Sequence, residues 1–254
     1  MPLYYQLVEI LSQKIDGGEL QPGEPIPSEL QLQEQYGISR TTVRQAIARL
    51  VAAGKLRTAQ GKGTFVAEPK VEETVEAITS LSQQLLARSI KPGTRVLGLT
   101  VTTPPPKVAE ALTLSTNSQV VRLERLRLAD DEPLGVSVAY LPNDLVPFLA
   151  EKGLKNESLY EVLEAEFGLI LQEADESVSA TGATEREAQL LDIPTGAPVL
   201  LVMRTTYLAD GRPIEHSRTV FRADRYRYYA RLRGRDQLIK RIWPHADSKR
   251  KDSD

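Results

Sequence analysis

Cationic side chains are concentrated at two places in the sequence where they could bind anions. Residues 39–62 contain six Lys or Arg residues and no Asp or Glu, a charge of +6, directly after residues 1–38 with a net charge of −5. Further along, alternation within residues 119–129 puts Arg125 and Arg127 on one face of a predicted strand, together with apolar residues. Guanidinium groups bind phosphate and carboxylate through paired, charge-assisted hydrogen bonds. The first cluster therefore predicts a nucleic-acid surface. The second predicts a site for a small anion, with cross-strand ion pairing to Asp or Glu as the alternative.

The composition of the 254-residue chain excludes several other kinds of chemistry. There is no cysteine, which excludes disulfides, iron–sulfur clusters and thiol catalysis. His216 and His245 are the only histidines, so we expect no metal and no other cofactor, and no set of residues is singled out as catalytic. No apolar run approaches the roughly 18 residues of a membrane span, and no signal-peptide pattern is present, so a cytoplasmic protein is expected. The net charge of −2 argues against a nucleic-acid binder, but it hides the local asymmetry.

The basic segment belongs to a predicted domain of three helices and a β-hairpin over residues 1–67. Ser28 and Gln31 form a capping box that begins the second helix, and Ser39 can cap the third. The third helix has the proportions of a helix-turn-helix recognition helix.

The outward face of this third helix carries the residue types that read DNA. Near the N-terminus of the helix, where recognition helices meet base edges, lie Arg40, Thr41, Arg44 and Gln45. Arginine can bind guanine through two hydrogen bonds, and threonine can contact a thymine methyl or a phosphate. An ordinary solvated helix is the alternative interpretation, but the absence of acids and the hairpin that follows favour DNA.

Residues 2–68 resemble the winged helix-turn-helix domain of the GntR family of transcriptional regulators. The likeness rests on four motifs: LQPG at 20–23, IPSE at 26–29, GISRTTVR at 37–44 and GKGTFV at 61–66. The resemblance implies that the third helix contacts DNA through Ser39, Arg40, Thr41, Thr42 and Arg44. It also implies that the hairpin enters or flanks the minor groove with Gln60, Gly61 and Lys62. Many family members contact the operator with an arginine at the position of Leu30, which leucine cannot do, so a different operator preference is expected.

The rest of the chain is predicted as a linker over 68–77, a second domain over 78–243 and a disordered tail over 244–254. Strands are predicted at about 95–102, 119–129, 134–141, 170–181, 198–208 and 213–223, and helices at about 80–89, 143–152, 158–167 and 184–191. A long antiparallel sheet with helices on one face fits this order and makes the whole chain α+β.

One internal repeat has an offset of 80 residues. The segment LADDEPL at 128–134 is echoed by LADGRPI at 208–214, and each lies between two predicted strands. Both are therefore predicted to be hairpin turns. Two hairpins related by pseudo-symmetry would explain the likeness, and so would similar turn chemistry that arose independently.

Residues 78–240 resemble the UTRA effector-binding domain of the HutC subfamily, which shares its fold with chorismate lyase. The likeness rests on RLRLAD at 125–130, YLP at 140–142, SLY at 158–160, GAPVL at 196–200, PIE at 213–215 and DRY at 224–226. In sugar-phosphate-sensing relatives the matching positions line the pocket, which implies effector contacts from Arg125, Arg127, Ser158, Tyr160 and Glu215. Ser80 and Ser158 also begin predicted helices, whose backbone amides can bind an anion, although each serine could be a cap alone. Glu215 could instead pair with an arginine, and Phe221 stands where such relatives often have tyrosine.

Together these features predict a ligand-responsive transcriptional regulator, a repressor that binds palindromic operator DNA as a homodimer. A small anionic metabolite such as a sugar phosphate is the expected effector. Two alternatives stay open at this point. One is a chorismate-lyase-like enzyme fused to a DNA-binding domain, and the other is an architectural DNA binder that responds to no ligand.

Overall fold

The first part of the chain forms three helices followed by a two-stranded hairpin. The computed structural model describes residues 1–59, 63–68, 70–74, 78–115, 117–154 and 158–230. The first elements are α1 (Leu3–Asp16), α2 (Glu29–Tyr36), α3 (Arg40–Ala52), β1 (Leu56–Ala59) and β2 (Gly63–Val66). The capping box at the start of α2 is confirmed, because Ser28 and Gln31 each donate a backbone N–H to the other's side chain. Leucines and valines of all three helices and both strands share one buried core.

The second part is built on a six-stranded antiparallel sheet, which confirms the predicted α+β class. Its elements are β3 (Val71–Thr74), α4 (Leu81–Leu86), β4 (Pro92–Thr102), α5 (Pro106–Ala111), β5 (Val120–Ala129), β6 (Glu132–Pro142), α6 (Leu149–Lys152), α7 (Leu159–Phe167), β7 (Leu171–Gly182), α8 (Glu185–Leu191), β8 (Pro198–Leu208), β9 (Pro213–Arg222) and β10 (Tyr226–Tyr229). The sheet order is β4-β5-β6-β9-β8-β7.

The sheet has an internal pseudo-two-fold symmetry. The order strand, helix, strand, strand occurs twice, as β4-α5-β5-β6 and as β7-α8-β8-β9, and the two halves meet where β6 pairs with β9. At the centre of that pairing Val138 lies opposite Arg218, which follows it by the 80 residues of the sequence repeat. The two echoed segments are both hairpin turns, as predicted.

The two turns nevertheless differ in backbone conformation. Asp130 and Asp131 both have positive φ in a two-residue loop, whereas Gly211 alone does so in the longer loop between β8 and β9. Shared turn chemistry would give shared backbone conformation, so the repeated element order supports pseudo-symmetry as the reason for the likeness.

Several sequence-based expectations need correction. Helices cover both faces of the sheet rather than one, because α4, α6 and α7 pack on one face while α5 and α8 pack on the other. The helix expected over 143–152 is helical only over Leu149–Lys152, since Phe148 before it has a φ of 64°. The helix α5 was not predicted.

The segment predicted as a linker contains a strand. Val71–Thr74 forms β3, which pairs in parallel with β10. The local sequence gives no signal for this pairing, because the partner strand lies about 150 residues away. The predicted domain boundaries stay predictions. Residues 231–243 of the predicted second domain and the predicted tail over 244–254 lie outside the described residues.

Candidate functional site

The N-terminal turn of α3 presents the predicted DNA-contacting residues. Ser39 caps the helix by accepting from the Thr42 backbone N–H at 3.2 Å. Arg40, Thr41 and Arg44 are exposed, and the two arginine side chains are 71% and 68% exposed. The three residues of the hairpin turn that were predicted to approach the minor groove lie outside the described part of the chain: Gln60, Gly61 and Lys62.

A cavity in the second domain brings together all six residues predicted to bind an effector. It has a volume of about 80 Å³ and lies on the sheet face that α4 and α7 cover. At about 10–15 Å³ for each water molecule, it has room for about five to eight waters, which suits a small metabolite. Its lining residues are Ser80, Leu81, Arg125, Arg127, Ser137, Ala139, Ser158, Leu159, Tyr160, Val202, Arg204, Glu215, Ser217, Thr219 and Phe221.

One end of the cavity is cationic and short of hydrogen-bond acceptors. Arg125 is only 6% exposed, yet its Nε and Nη1 have no hydrogen-bond partner among the described residues. Ser137, directly opposite Arg125 in the strand pairing, likewise has a buried hydroxyl without a partner in the described part. Burial lowers the pKa of Arg125, while the negative charge of Glu215 opposes that shift. Buried donors without acceptors are costly, so this arrangement fits an anion that is supplied by a ligand.

The other end is held by a buried carboxylate. Glu215 accepts hydrogen bonds from the Tyr160 hydroxyl at 3.0 Å and the Thr206 hydroxyl at 3.2 Å. Burial raises the pKa of Tyr160, and the charge of Glu215 raises it further, so this phenol stays protonated as a donor. The carboxylate is thus fixed by two neutral hydroxyls rather than by an ion pair. It keeps acceptor capacity for ligand hydroxyl or amino groups.

The two serines at helix starts both act as caps. Ser80 Oγ accepts from the Gln83 backbone N–H at 3.1 Å, and Ser158 Oγ accepts from the Glu161 backbone N–H at 3.4 Å. Arg127 is held differently from Arg125, because its Nη2 donates to Ser82 Oγ at 2.8 Å. Since Ser82 belongs to α4, this bond ties the cationic end to the first helix after residues 75–77.

Comparison with known proteins identifies both halves of the chain. Residues 3–66 match the family described as bacterial regulatory proteins, gntR family, and residues 87–227 match the UTRA domain. The chain is 38% identical over 228 residues to the HTH-type transcriptional repressor NagR of Bacillus subtilis (strain 168), covering 90% of this chain and 93% of NagR. The chain belongs to the GntR family. It is a ligand-responsive, DNA-binding transcriptional regulator.

Two further relatives agree with this assignment of the GntR-family regulator. It is 31% identical to the mannosyl-D-glycerate transport/metabolism system repressor MngR of Escherichia coli (strain K12), covering 89% of this chain and 94% of MngR. The crystal structure of PhnF from Mycobacterium smegmatis superimposes with a TM-score of 0.64 at 27% identity, covering 89% of this chain and 99% of PhnF. The matched families and these relatives are regulators of transcription. Among the described residues of the GntR-family chain, no helix is long and apolar enough to cross a membrane.

Sequence reasoning missed several residues that line the cavity of the UTRA domain. Ser137 and Ser217 occupy equivalent positions in the two halves of the sheet, and they are separated by the 80-residue offset of the repeat. Arg125 pairs with Ser137 across β5 and β6 in the same way that Arg204 pairs with Ser217 across β8 and β9. Following the repeat beyond the two turns would have found these positions. Arg204 differs from Arg125 in being ion-paired, with Glu176.

Proposed function

We propose that this GntR-family regulator is a homodimeric repressor that binds a palindromic operator and is released by a small anionic metabolite such as a sugar phosphate. The observation that carries the effector assignment is the buried Arg125, whose two unpartnered N–H groups face a cavity that also contains Glu215. The cationic end suits a phosphoryl or carboxylate group. The acidic end suits hydroxyl or amino groups, so a ligand that carries both kinds of group satisfies the whole pocket.

The DNA part of the proposal rests on the exposed face of α3. Arg40 and Arg44 extend from the first turn of a capped helix, where a recognition helix meets base edges. One winged helix reads one half-site, and two-fold symmetry of the protein matches a palindrome in the DNA. The curated names of NagR and MngR, both repressors, support repression as the direction of control. The operator of a bacterial regulator lies in the cytoplasm, where we infer that the protein acts.

Binding of effector and operator should be coupled reciprocally. If the ligand weakens operator affinity by some factor, then operator DNA weakens ligand affinity by the same factor. Operator binding should also fall steeply with salt, because arginine and lysine contacts to phosphate release condensed counterions.

The proposal is tested with the full chain. Duplexes selected from random DNA would define the operator. A thermal-shift screen would compare glucose 6-phosphate, glucosamine 6-phosphate, the unphosphorylated sugars and inorganic phosphate. We expect a palindromic selected site, and a phosphorylated sugar that raises the melting temperature and releases the DNA. A chain that selects no duplex, or a selected complex that no anionic metabolite affects, would contradict the proposal.

The helix assignment has its own matched control. Arg40→Ala and Arg44→Ala should each weaken operator binding. Arg49→Ala removes the same charge from the other end of α3, where Arg49 donates to the Tyr5 hydroxyl at 2.7 Å. Its effect on operator affinity should be much smaller. Equal effects of all three substitutions would indicate a general charge requirement instead of base reading.

A further inference from the structure

An acidic residue lies at the centre of the surface that is proposed to read DNA. Glu29 is the first residue of α2, and its two carboxylate oxygens contact two different arginines of α3. Oε2 accepts from Arg40 Nε at 3.0 Å, and Oε1 lies 3.6 Å from Arg44 Nε. The capping box that begins α2 fixes the backbone just before this carboxylate. A single acid therefore holds both candidate base-reading side chains.

Both contacts use the same atom of the guanidinium group. Because Nε of each arginine faces Glu29, the two terminal amino groups of each side chain are directed elsewhere. In the described ranges of the chain, no hydrogen bond is recorded for the Nη atoms of Arg40 or Arg44. Those paired Nη groups are the ones that can bind O6 and N7 of guanine together. The contact with Glu29 thus orients each arginine without occupying its base-reading end.

Stability of the fold does not account for this arrangement. Glu29 is 37% exposed, and ion pairs this exposed contribute little to folding. An acid on a DNA-facing surface also repels phosphate, which weakens binding to any sequence. The arrangement makes physical sense if the cost in general affinity is offset by ordering two long side chains before DNA arrives.

We propose that Glu29 is a positioning residue for operator recognition, which holds Arg40 and Arg44 in their base-reading orientation. The proposal rests on the DNA-binding function proposed above. Ordering one flexible side chain on binding costs about two- to tenfold in affinity, so losing the positioning of two should cost about 5- to 100-fold. That loss should fall on the selected operator alone. Binding to unrelated duplexes should stay the same or tighten, because a negative charge is removed.

The experiment compares full-length variants on the operator selected by the wild type and on a scrambled duplex of equal composition. Glu29→Gln removes the charge, and Glu29→Asp keeps the charge but shortens the side chain so that it cannot reach both arginines. Glu34→Gln is the matched control, since Glu34 is an exposed acid of the same helix. We expect both Glu29 variants to lower the ratio of operator to scrambled affinity by about 5- to 100-fold. Glu34→Gln should leave that ratio unchanged.

A helix-stabilising role for Glu29 at the N-terminus of α2 would give a different pattern. It predicts a lower melting temperature and an unchanged ratio. The substitution Glu29→Gln is therefore repeated in a variant that lacks both arginines, Arg40→Ala with Arg44→Ala, as a double-mutant cycle. We expect no further loss of the ratio in that background. An unchanged ratio for Glu29→Gln, or the same loss with and without the arginines, would overturn the inference while the wild type still selects an operator. A wild type that selects no duplex overturns the proposed function and this inference with it.

Discussion

Replacing Arg125 by methionine should have opposite effects on ligand binding and on the stability of the ligand-free protein. Two N–H groups of Arg125 have no partner in the described structure, and a hydrogen bond to a charged group contributes about 1.5–3 kcal/mol. Losing two such bonds to an anionic ligand should cost about 3–6 kcal/mol, or about 10²- to 10⁴-fold in affinity. Without ligand, the substitution removes a buried cation whose donors are unsatisfied. Glu215 keeps its bonds from Tyr160 and Thr206, so the ligand-free domain should gain about 1–3 kcal/mol.

Thermal unfolding with and without the phosphorylated sugar identified by the screen measures both effects. The ligand-free melting temperature of Arg125→Met should rise by about 2–4 °C for each kcal/mol, and the ligand-induced shift should disappear. Arg122→Met is the control, because Arg122 lies on the opposite face of the same strand and donates to Glu124 at 2.9 Å. It should lower the melting temperature and leave the ligand-induced shift intact. A lower ligand-free melting temperature for Arg125→Met, or a preserved ligand-induced shift, would refute the assignment of Arg125 as an unsatisfied anion site.

Two further predictions concern the same sheet. A Cβ on Gly135 would lie 2.7 Å from Phe221 Cδ1, so Gly135→Ala should displace that ring from the cavity floor and destabilise the domain by about 1–3 kcal/mol. Denaturant unfolding and ligand affinity should both change, and wild-type values for both would contradict the packing argument. Burial pushes the pKa of Glu124 up, but hydrogen bonds from Arg186 and Arg122 outweigh it and hold that pKa below its ordinary value. A carboxyl with a lowered folded-state pKa stabilises the fold above its unfolded pKa of about 4.3, and this stability is lost as the pH falls through the folded-state pKa. Glu124→Gln should therefore be less stable than wild type at pH 7, with a difference that shrinks in acid. A difference independent of pH would exclude this linkage.

The sequence predicts the sheet better than it predicts the pocket, and the reason is physical. Alternation over ten or more residues marks each long strand, and the six predicted strands agree with β4 to β9 to within a few residues. Alternation also places Arg125 and Arg127 on one face, but it does not say which helices cover that face. Short strands escape detection when their partner is distant, as with β3 and β10. Ser137 escapes for a related reason, since a lone small polar residue in a strand gives no signal until the strand opposite is known.

The position of Phe221 suggests why a ligand in the sheet could be sensed outside it. Phe221 lines the cavity and stacks on Tyr226, with ring centroids 3.9 Å apart and planes within 3°. Tyr226 belongs to β10, which pairs with β3 in the segment that leads from the winged helix. Arg225, next to it, pairs with Glu68 at 3.0 Å and with Glu132 at 2.6 Å, which joins the end of that helix domain to the β5–β6 turn. A ligand shifts a conformational equilibrium only by its differential affinity for the two states. A ligand that contacts Phe221 in one arrangement of β10 and loses that contact in another has such a difference, and the same strand carries it to the head.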